Sequence, residues 1–159
     1  MANINNPFGF RPVKMAGGAG AFPTETLKTT SNVTIYEGAP LVKKADGTLT
    51  NGGVTSTALF GFAAHGVTAV SATRQDLAFY PARLGDIFEA QVQTGSVVNL
   101  TEAVGRVAGI SIPSTYAVLV IGATTSVLQT VGYHPNSTVD ASCAILRVVV
   151  SKSSYMGVP

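Results

Sequence analysis

Apolar and polar residues alternate along much of this chain in short runs separated by turn residues, and that period of two predicts β-strands. The clearest run is Ile87 to Gln93. Phe88, Ala90 and Val92 fall on one face and Glu89, Gln91 and Gln93 on the other. Val33 to Tyr36 alternates as well and ends at the turn Glu37-Gly38-Ala39-Pro40. Leu41 to Lys44 and Thr48 to Thr50 flank Asp46-Gly47, a pair that supplies the positive φ a tight hairpin needs. Leu59 to Ala64, with Gly61 as a bulge candidate, Val67 to Val70, and Leu77 to Tyr80 before Pro81 add further strands. Ala117 to Ile121 and Ser126 to Val131 flank Gly122 to Thr125 as a predicted hairpin. Ala144 to Ser151 is apolar on both faces except at Arg147, as in a central strand. Leu100 to Val107 is a candidate for a single helical turn, weakened by Gly105. The pattern predicts an all-β fold, a single sandwich or barrel-like body of about nine short strands, with no sustained helical period.

The start of the chain breaks this pattern. Met1 to Asn6 is largely polar, and Pro7, Phe8, Gly9, Phe10, Arg11 and Pro12 follow. The prolines disfavour helix at themselves and at the residues before them, so the strip runs extended. Two phenylalanines on so short a strip cannot bury one another. They predict an arm lying on another surface, with Gly17 to Gly20 as its hinge. Fully extended, its first residues would reach roughly 45 Å at about 3.3 Å each. The alternative is that the strip packs on its own body as an irregular first strand. The predicted organisation is an arm over 1–23, a β-rich body over 24–152 and a C-terminal tail over 153–159.

Composition adds a second theme. Only 11% of the 159 residues are Asp, Glu, Lys or Arg, mean hydropathy is +0.34, and residues 107–139 carry no charged side chain. A surface so poor in charge predicts that part of the outside is interface. The net charge of +2 and the absence of any cationic cluster larger than Lys43-Lys44 argue against a nucleic-acid partner. No basic lead with an apolar core predicts a signal peptide. The apolar stretch Tyr116 to Val131 is interrupted by Gly122, Thr124 and Thr125, so no membrane span is predicted.

Candidate chemistry is sparse. Neither His65 nor His134 has a ligand at metal spacing. Asp86 and Glu89 are the closest acids, but on a strand they point to opposite faces and make a poor acid–base pair. The single cysteine, Cys143, reads as a small buried residue. No nucleophile elbow or phosphate loop is present. The expectation is a protein that is not an enzyme, with no cofactor and no metal. The residues singled out are Pro7, Phe8, Phe10, Arg11 and Pro12, as a partner-binding anchor. Phe8 and Phe10 would each gain about 1.5–3 kcal/mol on burial, and Arg11 offers a fork for a carboxylate.

Together these segments resemble the head decoration (cement) proteins of tailed bacteriophages. The resemblance lies in Asn6-Pro7-Phe8-Gly9-Phe10-Arg11-Pro12-Val13, then Tyr36 to Val42 leading to Asp46-Gly47-Thr48, then Leu59 to Ala64 and Phe88 to Gln93. It implies a β-rich body that forms homotrimers at three-fold positions on the outer surface of the capsid. There it would clamp adjacent subunits of the major capsid protein. A tail component, either a tube subunit or a fibre-associated β module, is the other reading.

Overall fold

The structure, a computed structural model, describes residues 8–18, 20–52, 59–93, 104–112, 115–121, 127–137, 143–153 and 155. Among them the chain is all-β, with eleven strands in two antiparallel sheets and no helix. The six-stranded sheet runs in the order β1 (Arg11–Lys14), β7 (Ile87–Gln91), β11 (Ile145–Val150), β10 (Leu128–Tyr133), β8 (Val107–Ser111), β9 (Val118–Ile121). The five-stranded sheet runs β2 (Glu25–Lys28), β6 (Asp76–Pro81), β5 (Gly61–Ala63), β3 (Pro40–Lys43), β4 (Leu49–Asn51).

Alternation and burial agree where the sequence signal is strongest. Phe88, Ala90 and Val92 are buried, and so are Leu146, Val148 and Val150 on β11, which has a neighbour on both sides as a central strand should. The β3–β4 hairpin turns at Asp46-Gly47. The Asp46 carboxylate accepts from the Thr48 amide and hydroxyl, and Gly47 has φ +81°.

Four expectations are corrected. Val33 to Tyr36 and Val67 to Val70 contribute only the isolated bridge Ile35–Val67, because this stretch lies over the five-stranded sheet as an irregular cover. The predicted hairpin between 117–121 and 126–131 does not form. β8 enters between its two arms, and Ala108 pairs with Ile121 on one side and Leu128 on the other; residues 122–126 lie outside the described residues. The helical turn over 100–107 gives way to a turn at Val104-Gly105 and the start of β8, with 100–103 outside the described residues. Gln91, assigned to the polar face, is buried, and its side-chain amide donates to the Cys143 carbonyl at 3.1 Å.

Two apolar clusters fill the fold. One packs Phe88, Ala90, Leu119, Leu128, Leu146 and Val148 of the larger sheet against Leu59 and Phe62 of the smaller. The other holds Ile35, Leu41, Leu49, Leu77 and Phe79. Neighbouring residues on β5 divide between them, Phe62 to the first and Ala63 to the second, so the smaller sheet is covered on both faces. Both sheets also curl back on themselves through parallel bridges, Val92–Leu119 in the larger and Thr29–Leu49 in the smaller. Such bridges occupy backbone groups that an open edge would present to another chain.

The extended arm expected over 1–23 is, from residue 10 onward, part of the body. Phe10 is 1% exposed, Arg11–Lys14 form β1 against β7, and Phe22 packs on Tyr80 and Phe88. The Ala16 amide donates to the Asp86 carboxylate at 2.9 Å, which fastens the strip beyond β1. In the expected tail, Ser153 bridges Leu59 and Tyr155 packs on Phe60.

Candidate interaction surface

The N-terminal strip divides into a buried half and an outward half. Phe10 stacks on Phe62 with ring centroids 4.6 Å apart, and Phe62 lies 4.4 Å from Phe88. The three rings therefore join the strip, the smaller sheet and the larger sheet in that order. Gly9 and Gly38, at φ +77° and +71°, let the strip cross the Glu37-Gly38 turn at backbone contact. A Cβ on Gly38 would lie 2.5 Å from the Phe10 nitrogen. The residue types follow from that crossing, since only glycine tolerates both the conformation and the approach.

This geometry corrects the assignment of Phe10 to a partner anchor. The core between the two sheets takes up the ring, so no partner can touch it in the folded protein. The outward half is different. Phe8 is half-buried, and the Arg11 guanidinium sits 4.0 Å above its ring, an arrangement stabilised by the charge over the aromatic face. Pro12 is half-buried opposite Phe88, and Pro7 lies outside the described residues.

Arg11 stands directly opposite Glu89 in the sheet, and Glu89 directly opposite Arg147. All three point away from the main core, because their neighbours Phe10, Phe88, Ala90, Leu146 and Val148 point into it. His134 joins them from the end of β10, with Nε2 4.0 Å from the Glu89 carboxylate. The Asn136 amide donates to His134 Nδ1 at 3.2 Å, so in the neutral ring Nε2 carries the proton and faces Glu89. Glu89 is 17% exposed at its side chain and His134 29%, so this pair is largely covered, while Arg11 beside it is exposed. Strand alternation assigns Glu89 to a polar face, but nothing local in the sequence reveals that Arg11, Arg147 and His134 share it.

The remaining candidates are structural. Asp86 is buried, and its two carboxylate oxygens accept from the Ala16 and Arg83 amides. His65 Nε2 accepts from the Ala78 amide at 3.1 Å while Nδ1 lies 3.0 Å from the Gly66 carbonyl, so both ring nitrogens are engaged with backbone. Cys143 is buried with φ +60°. Among the described residues no three His, Cys, Asp or Glu side chains gather as a metal site, and no helix is long and apolar enough to cross a membrane. Among the described residues, the outward face sets cations and a carboxylate beside exposed valines.

No protein-family model, curated protein or solved structure matches the chain.

Proposed function

We propose that the protein is a structural component of a tailed-phage virion, a decoration protein that acts as a homotrimer on the outer surface of the capsid. It would clamp adjacent major capsid protein subunits at three-fold or quasi-three-fold sites, without catalysis. The observation that carries this reading is the meeting of two segments behind the resemblance. Asn6 to Val13 and Tyr36 to Val42 are far apart in sequence, yet their described parts cross at Gly9 and Gly38, where the Phe10 amide donates to the Gly38 carbonyl at 2.9 Å. Two motifs that fit one another belong to one architectural unit. The low charge of the body and the exposure of Val104, Val107 and Val131 also favour a protein that works in an assembly.

On this reading the partner contact passes to Phe8 and Arg11, with Phe10 holding them in place from beneath. Three subunits binding together would raise the effective concentration of each contact, and avidity can exceed a single contact by about 100-fold. Light scattering on the purified chain tests the assembly. A stable trimer fits decoration, whereas a monomer, or rings of six, would replace it with the tail-component reading.

A further inference from the structure

Arg147 is the one charged residue on a central strand that is otherwise apolar, and its Nε is buried with no hydrogen-bond partner. A buried donor left unmade is costly, and most native proteins satisfy such groups. The nearest opposite charge by register is Glu89, yet no ion pair joins Glu89 to Arg147 or to Arg11. Among the described residues its titratable neighbour within 4.0 Å is His134, and Arg11 rests on Phe8 instead. Directly paired side chains lie about 5 Å apart at Cβ. Pairing is therefore within reach, and the two guanidiniums nonetheless remain uncommitted to it.

The same face continues into apolar positions. One register row further along, Val149 stands opposite both Ile87 and Gln129, and Gln129 opposite Val107. Val131 is the extra residue at the bulge between Thr130 and Gly132, and it and Val107 are 44% and 46% exposed.

We propose that this outward face of the six-stranded sheet docks an acidic, valine-like extended segment of a partner protein, with a carboxylate received by Arg147 and Arg11. Guanidinium forks match carboxylates in a bidentate way through their terminal nitrogens, and the exposed Arg11 presents such a fork directly. Arg11, Arg147 and Lys14, which stands opposite Ile87, set three cations against the single carboxylate of Glu89 and leave an excess of two positive charges, with His134 as a further titratable group on the face. That excess suits a carboxylate better than a nucleic-acid backbone, which calls for many cations in a row. The exposed valines beside the charges select apolar neighbours for that carboxylate. Glu89, opposite both arginines, competes with an incoming carboxylate for them. The proposal rests on the decoration reading for the identity of the partner alone, not for its chemistry.

The test uses the full-length chain and a fluorescein-labelled pentapeptide of alternating valine and glutamate, followed by anisotropy at low ionic strength. The same peptide with glutamine in place of glutamate is the control. Saturable binding of the acidic peptide, with the glutamine peptide at least about tenfold weaker, is expected for a charge-assisted contact. Arg147→Gln and, separately, the exposed Arg11→Gln should each weaken the acidic peptide by a similar factor, with Arg147→Lys intermediate. Glu89→Gln should tighten it, an effect that damage to the fold would not produce. Equal binding of the two peptides, no effect of either arginine substitution, or displacement by inorganic phosphate as effective as by unlabelled peptide would overturn the proposal. Because the readout is peptide binding, failure to decorate a capsid leaves this result untouched.

Discussion

The amide of Phe10 donates to the carbonyl of Gly38 at 2.9 Å, and from this bond the Phe10 ring descends onto Phe62 while Arg11 turns outward over Phe8. Adjacent residues on the strip thus do different work. One fills the core and the next faces outward, as the alternation of an extended chain requires. The turn at Gly38 has to pass beneath the strip and lead at once into β3.

Phe10→Ala should destabilise the protein by about 3–5 kcal/mol, the range for removing a fully buried phenylalanine. Phe8→Ala should cost less than about 1 kcal/mol, since its ring is only half-buried. Urea unfolding of the two variants checks this. Equal small losses would return Phe10 to the surface.

Gly38→Ala combines a left-handed backbone with a contact 2.5 Å from the Phe10 nitrogen, and should cost about 2–4 kcal/mol. Gly47→Ala has a similar φ of +81° but nothing within 4 Å of its added carbon, and should cost only about 1 kcal/mol. Thermal unfolding should place the two variants well apart.

Hydrogen bonds from the Thr48 hydroxyl, and then from its amide, hold the Asp46 carboxyl below its ordinary pKa, assisted by Arg74 and Lys44. A lowered folded-state value means that this group's contribution is present above the ordinary carboxylate range and is lost as pH falls through and below it. Asp46→Asn should therefore lower stability somewhat at neutral pH and flatten the acid limb, so that the two proteins converge at low pH. An acid limb identical to that of the unaltered protein would remove Asp46 from the account.

Burial, and then a hydrogen bond to Glu25, raises the Tyr155 phenol above its ordinary value. A raised folded-state value gives stability that is complete below the ordinary phenol range and lost as pH climbs through the raised one. Tyr155→Phe should blunt the alkaline loss of stability seen by circular dichroism. An unchanged alkaline limb would leave the contact with Glu25 without an energetic role.

Much of the fold is legible in the chain because β7, β11 and the β3–β4 hairpin are specified locally, by alternation or by Asp46-Gly47. β8 is not, because Val107 to Ser111 contains Gly109 and acquires its identity only from pairing with β9 and β10. The false hairpin has the same origin. Adjacency in sequence suggested a pairing that a third strand, distant in no local signal, takes instead. Phe10 was legible as an aromatic in need of a surface, yet its partners Phe62 and Phe88 come from different sheets, and only the tertiary fold brings them together. Arg147 was legible as an anomaly on a central strand. Its alignment with Glu89 and Arg11 is a matter of register, which strand-long patterns do not encode.

Cosedimentation of the purified protein with expanded, undecorated tailed-phage heads, with bound copies counted per head, tests the proposed decoration role most directly. Decoration predicts saturable binding in multiples of three per three-fold site, retained by a core-neutral variant such as Gly47→Ala and reduced by Arg11→Gln. Absence of binding by folded protein, or assembly of the protein alone into rings or tubes, would contradict it.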